Sequence, residues 1–171
     1  MATTYEAIAT TTVGAGGAAN ITFSSIPGTY TDLIVKWSSR CATGGPADVL
    51  LRLNSDTGSN YPYRQLQGNG STVGSGSGTS TGLATGASTG TGDTASTFSN
   101  NEVYIPNYTS ANYKSASSDS VTENNATTAY ATLRAPIWNN TSAITSIAIL
   151  NADASNLAQH STATLYGIKN S

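Results

Sequence analysis

The stretch GSGSGTSTGLATGASTGTGDTAST, residues 74–97, decides how this chain folds. Gly/Ser-rich chain behaves as flexible coil, so its composition alone makes it a linker between two small domains. A split there leaves two pieces of roughly 70 residues, each needing a closed core without a disulfide or a metal, which is unusual at that size. The tract also carries or adjoins Val73, Leu83 and Phe98, apolar side chains that a solvated linker does not need. The expectation is therefore a single β-sandwich domain spanning residues 1–171. The Gly/Ser/Thr-rich segment at about 68–100 is then a long excursion within it, holding a short strand near Gly82–Thr85. Loops of such length are usually functional or disordered, and a subunit contact would order this one.

The composition agrees with a β fold. Only 9% of the residues are charged, against roughly a quarter in an average domain. Polar surface comes instead from 27 Thr and 23 Ser, with nine Tyr. Thr and Tyr suit the pleated, half-buried surface of a strand. A net charge of −2 provides no electrostatic footprint for nucleic acid or an acidic membrane. No run approaches the ~20 apolar residues of a membrane helix. The opening MATTYEAIATTT lacks the basic and apolar regions of a signal peptide, so the expectation is synthesis in a cytoplasm. The lone Cys41 excludes an internal disulfide and a cysteine zinc cluster.

Outward from the tract, short alternating runs bounded by turn residues recur and no helical period appears. LIVKWSSR sets Leu33, Val35 and Trp37 against Ile34, Lys36 and Ser38, and VLLRLN does the same with Val49, Leu51 and Leu53. YEAIATTTV, ANITFSSI, YRQLQGN, EVYIPNY, TAYATLRAPIW, AITSIAIL and STATLYGIK read as further strands, and YKSASSDSVTEN as a long one. The sum is an all-β, antiparallel β-sandwich of about nine or ten strands, for which a jelly-roll-like arrangement fits best.

Chemistry-bearing residues are sparse. His160 is the only histidine and stands at a loop-to-strand entry with no acid close in sequence, so it reads as a surface or contact residue rather than a triad base. Asp119 and Glu123 share a strand face, yet a glycosidase pair needs a sugar between two carboxylates, and their neighbours are small and polar. NSDTGSN, residues 54–60, is faintly like a calcium loop, but Asp56 is its sole carboxylate and a tight turn is the better reading. No catalytic, cofactor-binding or metal-binding residue is assigned. The tyrosines suit either a sugar face or a protein interface, with interface the stronger reading. The interface residues expected are Tyr61, Tyr63, Leu83 and Tyr108.

Three segments carry a resemblance. SSIPGTYTDLIVKWSSR holds Ile-Pro-x-x-Tyr-x-Asp-Leu at Ile26 to Leu33. LRLNSDTGSNYPYRQLQGNG holds Asn-x-Asp-x-x-x-Asn-Tyr at Asn54 to Tyr61. STATLYGIKNS holds Leu-Tyr-Gly-Ile-Lys at Leu165 to Lys169. With IPNY, DSVTENNATTAY and IWNNTSAITSI, they make the chain similar to small virion structural proteins of tailed, cyanophage-like bacteriophages. The resemblance implies a β-sandwich and a non-enzymatic role without cofactors. It points first to a capsid decoration (cement) protein on the virion surface, its partners the major capsid protein and copies of itself, a homotrimer by the symmetry of shells. The alternative it implies is a tail- or head-fibre module that recognises host surface glycans.

Overall fold

The computed structural model describes residues 4–125 and 129–169. Residues 126–128, within the segment DSVTENNATTAY, lie outside the described residues. The strands are β1 (Tyr5–Thr12), β2 (Ile21–Phe23), β3 (Asp32–Ser39), β4 (Ala47–Leu53), β5 (Tyr61–Gly68), β6 (Val73–Ser80) and β7 (Leu83–Ser88). They continue as β8 (Ser99–Ile105), β9 (Lys114–Ser115), β10 (Ser117–Val121), β11 (Ala131–Trp138), β12 (Ile147–Asn151) and β13 (Thr162–Ile168). The protein is all-β, and every strand pairing is antiparallel.

Two sheets form a sandwich. The large one runs β1-β13-β3-β8-β10-β11-β5-β6, with β9 beside β11, and the small one runs β2-β12-β4-β7. Both draw strands from either side of the Gly/Ser tract. Alternation explains the core. Leu33, Val35 and Trp37 of β3, Val103 and Ile105 of β8, and Leu165 of β13 point inward from the large sheet. They meet Ile21 and Phe23, Val49, Leu51 and Leu53, Leu83, and Ile147 and Ile149 of the small sheet. Full burial of each such side chain contributes about 1.5–3 kcal/mol.

Much of the tract is strand. Residues 73–80 and 83–88 are strands, and only 89–98 connect to β8. Its Gly-Ser alternation has the period of a strand, and the partner side chains explain which position is glycine. A Cβ on Gly78 would lie 2.9 Å from the Tyr63 hydroxyl oxygen, and one on Gly76 3.3 Å from the Gln65 amide. Tyr63 and Gln65 lie across the β6 backbone at Gly78 and Gly76, where glycine leaves them room, while the other face carries Ser75, Ser77 and Thr79. Leu83 is fully buried, whereas Val73 is 84% exposed and anchors nothing. These strands, with the short β2 and β9, raise the count among the described residues to thirteen. YKSASSDSVTEN is broken at Ala116 into β9 and β10.

The segments of the resemblance have local roles. Buried Asp32 accepts hydrogen bonds from the Tyr104 hydroxyl and the Asn107 N–H, both at 2.8 Å. This joins the start of β3 to the end of β8. Asn54, with φ +49°, turns the chain after β4, and its Oδ1 accepts from the Thr145 and Ser146 N–H groups at 2.8 and 3.1 Å. Gly167 leaves room for the Tyr30 ring, whose nearest atoms lie 2.4 Å from where a Cβ would stand.

Candidate functional site

The surface feature that composition does not explain lies on the outward face of β10, β11, β5 and β6. The register aligns Asp119, Leu133, Leu66 and Ser75 in one row across these four strands. The next row runs Val121, Ala131, Gly68 and Val73. Leu66 and Leu133 are adjacent and 56% and 57% exposed, and Val121 extends the apolar surface. A shallow groove of about 620 Å³ runs beside them, lined by Arg64, Leu66, Ser75, Ser77, Leu133 and Ala135. Large contiguous apolar patches on a protein surface mark interaction sites.

The opposite face of the same strands fixes this surface in place. Arg134 points inward from β11 and is almost wholly buried. Its Nη2 donates to Asp48 Oδ1 at 3.0 Å and its Nε to Gln65 Oε1 at 2.9 Å, and the guanidinium lies 5.3 Å from the centre of the Tyr63 ring. The cation therefore ties β11 and β5 to β4 of the other sheet. Ser118 donates to the Thr85 carbonyl at 2.8 Å, and Gly86 leaves no space for a Cβ against Ser120, so β10 and β7 are in close contact. The flank toward β8 is charged: Glu102 stands opposite Asp119 and is bridged by Lys36 at 2.9 Å.

The residues singled out from sequence do not converge. Asp119 and Glu123 are both solvent-exposed. Asp119 faces Glu102 and Leu133, whereas Glu123 lies beyond the end of β10 and accepts from the Asn125 N–H at 2.7 Å. His160 is exposed with φ +72°, its backbone N–H bonded to the Val13 carbonyl. Cys41 is buried, its thiol donating to the Thr43 carbonyl at 3.0 Å. Among the described residues no three His, Cys, Asp or Glu gather as metal ligands.

Residues 54–60 form a turn whose carboxylate is already engaged. Asp56 accepts the Trp138 indole N–H at 2.8 Å, the Gly58 N–H at 2.9 Å and the Asn60 amide at 3.1 Å. The bonds from Trp138 and then Gly58 hold its carboxyl below the usual carboxylate range. Lys114, also buried, donates to the carbonyls of Ser110 and Asn112, and burial pulls its ammonium below the usual lysine range.

Three of the four expected interface residues are core instead. Tyr61, Leu83 and Tyr108 have no exposed surface. Tyr61 stacks on Trp138 with ring centres 6.3 Å apart and donates to the Asp56 carbonyl at 3.1 Å. Its burial pushes the phenol up to about 12. Tyr108 donates to the Pro27 carbonyl, and Leu83 faces Leu51 across β7 and β4. Each Tyr buries its ring because a backbone acceptor satisfies its hydroxyl, as buried tyrosines require. Tyr63 alone keeps partial exposure. The apolar surface is built from residues that alternation assigns to a core: Leu66 and Leu133 stand among polar neighbours, the pattern of an inward position. Here the inward positions are the polar ones, Gln65 and Arg134.

Comparison with protein-family models, with curated proteins and with solved structures returns no match.

Proposed function

We propose that this chain is a non-enzymatic structural protein of a bacteriophage virion, a capsid decoration protein that binds the outer shell of the major capsid protein. The observation that carries the reading is the exposed Leu66–Leu133 surface on a two-sheet scaffold. Such a surface binds another protein by excluding water, and it needs no convergent titratable groups. We further read the scaffold as a jelly roll. Setting β5, β6 and β9–β11 aside, the remaining eight strands order as β1-β13-β3-β8 against β2-β12-β4-β7. Consecutive strands then alternate between two four-stranded sheets except for β4 and β7, which pair directly within the small one, as in that fold. The low charge favours docking with few ions to desolvate, and many copies on a symmetric shell reinforce weak contacts by multivalency.

The test is co-sedimentation of the purified chain with capsid shells of the same phage stripped of it. Saturable binding that Leu66→Asp/Leu133→Asp abolishes supports the reading. Binding that the double variant leaves intact counts against it.

A second reading, a fibre module recognising host glycans, is favoured by one observation. Tyr113 is 58% exposed beside a cavity of about 490 Å³ edged by Asn107, Ser110 and Asn112, an aromatic flanked by hydrogen-bonding groups. A glycan array tests it directly, and Tyr113→Ala would remove any signal.

A further inference from the structure

An open sheet has edges, and an edge strand presents unpaired N–H and C=O groups that template pairing with another chain unless the fold blunts them. Three of the four edges here carry such a device. β2 is only three residues long. β1 is interrupted by a register shift between Ala7 and Ala9 and carries Glu6, which Lys169 approaches at 3.7 Å. β7 is packed against β10, with Gly86 pressed on Ser120. The fourth edge, β6, carries none. Its eight residues, VGSGSGTS, pair with β5 in unbroken register from Val73 to Ser80, with no charge, no proline and no bulge.

The hydrogen-bond phase of that edge can be read. The Asn69 N–H bonds the Thr72 carbonyl at the hairpin turn. Because antiparallel pairs alternate, Gly74, Gly76 and Gly78 direct their backbone groups to β5. Val73, Ser75, Ser77 and Thr79 direct theirs to the open side. Pro62, which has no N–H, stands opposite Thr79, where the ladder to β6 calls for none. No described residue bonds that open side.

The geometry points to a second copy of this chain as the occupant, joined β6 to β6 in antiparallel fashion about a two-fold axis at Gly76. Residues 74–78 read GSGSG in either direction, so this register sets Ser75 against the partner's Ser77 and Gly74 against the partner's Gly78. The outward-directed groups then match. Ser75 with Ser77 and Val73 with Thr79 form hydrogen-bonded pairs, each exchanging bonds in both directions. Val73, the most exposed large hydrophobic side chain among the described residues, gains a cross-strand neighbour. Gly74, with nothing within 4 Å of its Cβ position, comes beside Gly78 under the Tyr63 ring, so that ring has space to extend over the partner. The axis is perpendicular to the sheet, and the two Leu66–Leu133 surfaces end on the same side of one continuous sheet. This inference is independent of where on a virion the chain resides.

Light scattering on the full chain across a wide concentration range should show a mass rising from one chain to two. Ser77→Pro removes an N–H that makes no bond within the chain and blocks the edge, so it should stay monomeric with an unchanged circular dichroism spectrum. Cysteine pairs read the register independently of that variant's folding. A mixture of Ser75→Cys and Ser77→Cys chains should form a disulfide-linked dimer under mild oxidation, and neither variant alone should do so. A monomer at every concentration, a mass of three chains, a dimer indifferent to Ser77→Pro, or linkage of Ser75→Cys alone as readily as the mixture would overturn the assignment.

Discussion

Replacing Asp56 by alanine separates a structural turn from a cation site. Three donors lose their acceptor: the Trp138 indole at 2.8 Å, the Gly58 N–H at 2.9 Å and the Asn60 amide at 3.1 Å. Water can replace the carboxylate at Gly58 and Asn60, which lie in a partly exposed turn. It cannot easily do so at Trp138, whose side chain is 1% exposed. Leaving that indole unpaired sets the scale, about 1.5–3 kcal/mol for a hydrogen bond to a charged group. Loosening the turn brings the total to roughly 2–4 kcal/mol. For a chain of this length the melting temperature should fall by roughly 5–15 °C. Asp56→Asn keeps an acceptor for the indole and should lose less than half as much.

Urea unfolding followed by tryptophan fluorescence measures the difference. The pH dependence has a definite sign. A folded carboxyl held below its unfolded value means that the unfolded chain takes up the proton first as pH falls. The Asp56 contribution is therefore present above the unfolded carboxyl value of about 3.9 and is lost as pH falls through the lower folded value. Wild type and Asp56→Ala should converge in that acid limb. A loss below about 0.5 kcal/mol, the range of ordinary surface substitutions, would refute the reasoning. So would a wild-type midpoint that calcium raises and a chelator lowers.

Other outcomes follow from the same contacts. Gly86→Ala should cost about 1–3 kcal/mol or more, by overpacking against Ser120, whose Oγ would be 2.1 Å from the new carbon, and by placing a Cβ at φ +158°; Gly86→Ala/Ser120→Gly should recover only the packing part in thermal melts. Asp48→Ala should be more damaging than Arg134→Met, because the first leaves a buried guanidinium without its counter-charge while the second removes the charge itself; paired urea titrations rank them. At alkaline pH, Tyr61 is raised in the folded state, so its stabilisation is full below the unfolded value of about 10 and declines toward about 12. That limb is worth about 2–3 kcal/mol, and Tyr61→Phe should flatten it in urea titrations from pH 9 upward. Leu133→Asp should cost up to about 1 kcal/mol, since the side chain is mostly exposed and the new carboxylate would stand opposite Asp119, whereas Leu133→Ser should stay within about 0.5 kcal/mol of wild type; urea titrations measure both.

The core was legible where both faces of a strand obeyed one rule. In LIVKWSSR and VLLRLN the alternating apolar residues were the inward ones, and their partners in the opposite sheet were equally regular. Within the tract the strand near Leu83 was legible, whereas β6 was not, for a reason that lies in its neighbour. Glycine at positions 74, 76 and 78 signals coil by composition, and only the overlying Tyr63 and Gln65 convert the alternation into a strand. The interface tyrosines failed because the chain supplies their hydroxyl partners internally, from Pro27, Leu53 and Asp56, and sequence distance hides those carbonyls. Leu66 and Leu133 have the polar-flanked setting that marks inward positions in the core, yet they face outward. An inward arginine paired with Asp48 inverted the usual polarity of β11, and nothing within TLRAP announces a partner lying 86 positions away.

Copy number per virion tests the central claim most directly, by quantitative mass spectrometry of purified particles against the major capsid protein. A decoration protein should be present at a count equal to that protein or to a simple fraction of it. A few to a few dozen copies per particle would contradict a place on the shell and move the chain to a tail or a vertex.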